Sequence, residues 1–242
     1  MAATSKHARF YMTTVTFLVE DCLFKVPRGP FETQSPVFKD MFLLPVGDQS
    51  EAEGLSDARP IRLEGVNQED FEHFLKFLFP RSYGQPQELP DGPAQWTSVL
   101  KLATLWDFDG VRKTAINALA VLPLSPVDKI VLATEYHIQD WLVPAINAMA
   151  QRPEPIGLED VNRLGLDFAL KIASVREHLA LREVGRQINC YKGGVHRYST
   201  QELIVGPRDP SSQQLDFTHV IHTTFNLCDD VPILDPTEPE SL

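Results

Sequence analysis

His219 and His222, three residues apart, together with Cys190 and Cys228, are the side chains in this sequence best suited to holding a metal. Zinc takes four nitrogen or sulfur ligands in a tetrahedron, commonly supplied as two close pairs. Only the histidine pair is close here, and neither cysteine has a near partner. Phe217 and Val220 also hint at a strand, on which His219 and His222 would point to opposite faces. Two solvated histidines in a tail are therefore the simpler reading, with a metal-binding tail kept as the alternative.

Other chemistries find less support. His73 beside Glu72 and His137 near Glu135 lie on helical segments, where such neighbours are ordinarily solvated. Cys22 opens a strand and reads as a small buried apolar residue. The acidic loop around Glu51 and Glu53 lacks the alternating ligand spacing of a calcium loop. The sequence has no G-x-S-x-G elbow, no H-E-x-x-H, no P-loop and no G-x-G-x-x-G. The expectation is a protein that is not an enzyme and carries no cofactor and no metal.

Composition narrows the partners. The hydrophobic share of 43% is that of a folded chain. A net charge of -11 disfavours nucleic acid, whose phosphates call for clustered Lys and Arg. No apolar run reaches bilayer length, and MAATSKHARF lacks the apolar centre of a signal peptide. Cys22, Cys190 and Cys228 are irregularly spaced and make no disulfide framework. A soluble cytoplasmic or nuclear protein without membrane contact is expected.

The elements follow from periodicity. Val15, Phe17 and Val19 alternate with Thr16, Leu18 and Glu20, which predicts a strand, and Leu18 adds partial burial of the second face. Glu20-Asp21 turns the chain into a second strand, Cys22–Val26, which Pro27, Gly29 and Pro30 end. A helix is predicted from about Gln34 to Phe42, with Ser35 as N-cap and Val37, Phe38, Met41 and Phe42 on one face. Pro60–Leu63 reads as a short strand. Asn67 reads as the N-cap of a helix whose face is Phe71, Phe74, Leu75 and Leu78. After a Pro/Gly-rich linker, one helix buries Trp96, Val99, Leu100, Ala103 and Trp106; the next buries Val111, Ala115, Ala118, Leu119 and Leu122.

Pro123 and Pro126 mark a boundary. Helical segments are expected at Val127–Tyr136, Trp141–Ala150 and Phe168–Leu179, with Pro144 near the end of the middle one's first turn. Gln151–Gly157 reads as an extended link. From Gly185 the composition turns to Gly, Pro, Ser and Asp, and an irregular acidic tail is expected. Among possible contact residues, Met41 and Phe42 end a helix, Leu43 and Leu44 are adjacent apolar residues at a loop entrance, and Tyr83 sits in a Pro/Gly loop.

The hairpin VTFLVEDCLFKV, the helix SPVFKDMF, the strand PIRLEGV, the helix FEHFLKFLFPRSYG and the pair WTSVLKLATLWDFDGVRKTAINAL together resemble a BTB/POZ domain. They are similar in detail to the stand-alone BTB proteins of mushroom-forming fungi. The resemblance implies an α+β fold, a short mixed sheet flanked by a helical cluster, over residues 12–122. A helical extension would follow over 123–184 and an irregular acidic tail over 185–242. It implies a non-catalytic module that self-associates as a homodimer or higher homo-oligomer and recruits another protein.

The resemblance points to two kinds of partner, the cullin scaffold of ubiquitin ligases and transcriptional co-regulators. Cullin-binding relatives carry a hydrophobic-x-Glu motif after the Met-Phe helix, and Val46-Gly47-Asp48 stands there in this chain. Leu43, Leu44, Val46 and Asp48 are thus the expected contact edge. Where many relatives have Asp before the first strand and His before a basic residue, this chain has Thr14 and Pro27, keeping Arg28. Met1–Met12 is too short for the helix and strand that transcription-factor dimers exchange.

Overall fold

The structure, a computed structural model, describes residues 5, 7, 11–44, 53–79, 89–177, 183–184, 200–201 and 216–227. The chain falls into two compact units, Met1–Leu124 and Ser125–Leu242.

In the first unit, β1 (Thr14–Val19) and β2 (Cys22–Pro27) form an antiparallel hairpin. Glu20 turns the chain with φ at 52°. The short β3 (Ile61–Arg62) runs parallel to β1 on its other side, giving the order β2-β1-β3. As the central strand, β1 is covered on both faces. Val15, Phe17 and Val19 are buried on one and Thr16 on the other, with Leu18 half-buried. Gly54 closes over the sheet, its carbonyl accepting the Thr16 N–H at 2.8 Å. Its φ is +80°, and a Cβ there would stand 2.7 Å from Ile61 Cδ1 and 2.9 Å from Val15 Cγ2.

The expected single helix after the hairpin is two: α1 (Gly29–Gln34) and α2 (Pro36–Leu43). Proline disfavours helical geometry in the residue before it, and Ser35 is accordingly extended at φ -129° and ψ 118°. Pro30, expected only to end the strand, sits in the first turn of α1, where its missing N–H costs nothing. Val37 is not on the buried face of α2; it is 40% exposed, while Phe38 is 2% exposed.

Helix α3 (Gln68–Leu78) starts at Asn67, but the Asn67 side chain makes no cap bond. The carboxylate of Glu20 accepts the Gln68 N–H instead, at 3.2 Å, so the β1–β2 turn caps the helix. Phe71 and Phe74 of α3 are fully buried, and Leu75 and Leu78 are half-buried.

Helices α4 (Pro93–Leu105) and α5 (Asp109–Val121) complete the unit. Trp96, Val99, Leu100, Ala103 and Trp106 are buried as expected, and Leu102 is buried with them. On α5, Val111, Ala115 and Leu119 are buried while Ala118 and Leu122 are only half-buried. The core is aromatic. Phe38 meets Phe17 at 5.6 Å and Trp106 at 5.2 Å, and Phe74 meets Phe108 at 5.1 Å, all edge to face. Such pairs add roughly 0.5–1.5 kcal/mol each beyond area burial.

The second unit holds α6 (Pro126–Glu135), α7 (Gln139–Gln151), α8 (Leu158–Leu164) and α9 (Leu166–Glu177). Two-residue strands β4 (Glu183–Val184) and β5 (Thr200–Gln201) and helix α10 (Thr218–Phe225) follow. Ser125 and Asp128 cap α6 reciprocally. Because α7 starts at Gln139, Pro144 falls in its second turn rather than near the end of its first. Helix α8 was not foreseen; Asp160 holds its start by accepting the Gly157 N–H at 2.9 Å and the Arg152 guanidinium.

The strand expected around Phe217 and Val220 is α10. Asp216 starts it by accepting the Thr218 N–H at 2.9 Å. Phe217, Ile221 and Phe225 then recur at helical spacing and pack among Ile130, Ile146, Met149, Ile172 and Val175.

A candidate partner-binding edge

The end of α2 exposes two adjacent aliphatic side chains, Leu43 and Leu44, and its position is fixed from the other end of the helix. Ser35 Oγ accepts the Phe38 N–H at 3.1 Å and donates to the Trp106 carbonyl at 2.6 Å. One buried hydroxyl therefore caps α2 and ties it to the C-terminus of α4. Phe38 anchors the helix in the core.

From there the side chains grade outward. Phe42 is half-buried, its ring 6.0 Å from that of Phe38, with the Arg28 guanidinium 4.1 Å over its face. Arg28 Nε also pairs with Glu32 at 2.7 Å. Met41 is half-buried, whereas Leu43 and Leu44 are 72% and 68% exposed. Val37 and Met41 lie four residues apart on one side of α2, and Leu44 follows at its extended C-cap. Val37 thus belongs to the exposed edge. Its spacing from Met41 carried that signal, but a helical stripe fits a core face equally well.

Of the residues expected at the edge, Met41, Phe42, Leu43 and Leu44 come together at the end of α2. Val46, Asp48 and Tyr83 lie outside the described residues, so the counterpart of the hydrophobic-x-Glu motif has no placement. The kept basic residue, Arg28, is engaged by Phe42 and Glu32, and Thr14 faces Pro27 directly across the hairpin.

His219 and His222 sit on α10, not on a strand; His219 is exposed and His222 half-buried. Cys190 and Cys228 lie outside the described residues. No group of three or more His, Cys, Asp or Glu side chains among the described residues is placed to hold a metal. Cys22 is half-buried rather than buried. His137 is exposed and occupies a turn with φ at 53°. A groove of about 240 Å³ beside β3, walled by Leu18, Glu20, Arg62 and Glu64, is smaller than the usual small-molecule pocket of roughly 300–1,000 Å³.

A three-stranded mixed sheet with a helical cluster defines an α+β scaffold, with exposed apolar side chains at the end of α2. Residues 5–121 match the family model of the BTB/POZ domain, and the three-stranded mixed sheet with its helical cluster fits the α+β fold of that domain. BTB/POZ domains are protein–protein interaction modules and are generally non-catalytic. A comparison with curated proteins gave no significant match. Among the described residues no helix is long and apolar enough to cross a membrane.

Proposed function

We propose that the chain is a non-catalytic adaptor that self-associates and recruits another protein through the end of α2. The observation that supports this reading is the pair Leu43 and Leu44, solvent-exposed at the end of a helix whose base is held by Ser35 and Phe38. A rigid helix presenting two aliphatic side chains loses little conformational entropy on docking. The recruited protein we favour is a cullin scaffold, with Val46 and Asp48 completing the edge and Tyr83 a further contact. Self-association would give a homodimer or higher homo-oligomer. The chain would work in the cytoplasm or nucleus, similar to the BTB proteins of mushroom-forming fungi, with residues 12–122 as the domain, 123–184 as its extension and 185–242, which includes the packed helix α10, as the tail.

Affinity purification of the tagged chain from its native cell, followed by identification of co-purifying proteins, tests the reading. A cullin retained by the natural sequence and lost from a Leu43→Asp, Leu44→Asp double variant is the expected result. Equal recovery with both chains refutes this edge as the cullin site.

A further inference from the structure

The hairpins α4–α5 and α6–α7 share a sequence. Leu102-Ala103-Thr104 returns thirty residues later as Leu132-Ala133-Thr134, and Ala115-Ile116-Asn117-Ala118 returns as Ala145-Ile146-Asn147-Ala148, each followed after one residue by Ala120 or Ala150. The geometry returns too. Asp107 and His137 both turn with φ at 53°. The Phe108 N–H reaches the Ala103 carbonyl at 2.8 Å, and the Ile138 N–H reaches the Ala133 carbonyl at 2.9 Å. Both are the left-handed helix ending in which the second residue past the cap bonds back into the last turn. Repeated sequence on repeated geometry makes the corresponding faces of α5 and α7 equivalent.

Those faces are covered differently. On α7, Ile146 and Ala150 are fully buried. Between them Asn147 uses both ends of its amide: Oδ1 accepts the Phe217 N–H at 3.1 Å, and Nδ2 donates to Asp216 Oδ1 at 3.3 Å. The Ile-Asn-x-x-Ala face of α7 is thus a seat for the start of α10, whose Phe217 and Ile221 enter the same apolar cluster. On α5 the same three residues are open: Asn117 and Ala120 are exposed and Ile116 is half-buried.

We propose that Ile116, Asn117 and Ala120 form a second seat of this kind, one that receives the start of a short amphipathic helix from a partner protein. The segment it fits has an Asp followed by an aromatic residue, with Ile or Val four positions after the aromatic, as in Asp216, Phe217 and Ile221. A second copy's α10 is not the occupant, because that helix is engaged on its own α7. The α5 seat also differs from its model at one flank: exposed Lys113 stands where α7 has Val143. An ammonium there selects a partner carrying further acidic residues near its helix start, where they also suit the helix dipole. The seat is separate from the Leu43–Leu44 edge, so either site can fail without the other.

The test is fluorescence anisotropy with a labelled synthetic peptide spanning residues 214–227, which contains the Asp216–Ile221 stretch seated on α7, titrated with the full chain. Saturable binding is expected, weakened about tenfold by Asn117→Ala, which removes both amide contacts. Ala120→Glu, which fills the seat with a charge, should abolish it. Both substitutions are at exposed positions, and melting curves of the variants should overlay that of the natural chain. Absence of saturable binding overturns the proposal. So does binding unchanged in both variants, since the peptide would then be seated elsewhere, as by exchange onto α7.

Discussion

Ser35 Oγ lies between the start of α2 and the end of α4, donating to the Trp106 carbonyl at 2.6 Å and accepting the Phe38 N–H at 3.1 Å. Ser35→Ala leaves a buried carbonyl and a helix N–H without partners. It should cost about 1–3 kcal/mol, read as a lowered denaturant midpoint with the slope unchanged. A loss below 0.5 kcal/mol, in the range of about ±0.5 for surface substitutions, would show that the bridge contributes nothing of note.

The exposed and anchored ends of α2 should separate cleanly. Leu44→Asp should change stability by less than about 1 kcal/mol while reducing partner recovery. Phe38→Ala, one helix length away, should cost roughly 3–5 kcal/mol through the cavity it leaves. Thermal unfolding of the two variants side by side checks this; a severely destabilised Leu44→Asp would mean that the edge is packed, not presented.

Gly54→Ala should destabilise the first unit by roughly 1–3 kcal/mol. The added methyl meets Ile61 and Val15 at distances no real Cβ tolerates, at a φ of +80° that L side chains rarely adopt. Chemical denaturation provides the measurement, and a neutral result would place the turn elsewhere.

Acid should weaken both units. Hydrogen bonding to Arg152 holds the Asp160 carboxyl below its ordinary value, against the opposing push of burial. Burial pushes Asp70 up, but hydrogen bonds from Lys101 and Ser98 outweigh it and lower Asp70 as well. A carboxylate with a lowered folded value stabilises above its unfolded value, about 3.9, and loses that contribution as pH falls through the folded value. Stability should therefore be flat from neutrality to about pH 5 and drop below pH 4. In Asp160→Asn the acid-dependent loss should be smaller and the stability at neutral pH lower by about 1–3 kcal/mol.

Much of the first unit is legible in the chain because its signals are local. Alternation at Val15, Phe17 and Val19 and the spacing of Phe71 and Phe74 need no tertiary context. The split between α1 and α2 was legible too, since Pro36 forces Ser35 out of helix, but the proline-rich stretch from Pro27 to Pro30 hid a helix start behind a strand end. Glu20 capping α3 was not legible: the bond joins residues 48 apart in sequence. At α10 the apolar residues fit either period over so short a run, and Asp216 as helix initiator decided it. The exposure of Leu43 and Leu44 was readable as two adjacent apolar residues past a helix end. The seat on α5 was not, because a face with an occupied twin shows itself only once the twin's occupant is located.

Strand β3 runs parallel to β1, so it cannot follow it through a tight turn; α1, α2 and the segment beyond them form the crossover between the two. The exposed leucines therefore lie inside the stitch that completes the sheet, not on an appended arm. A partner grasping them pulls on the connection between Phe17 and Ile61. A cut just past Leu44 would separate β1 and β3 covalently, leaving their parallel pairing to hold the third strand in the sheet.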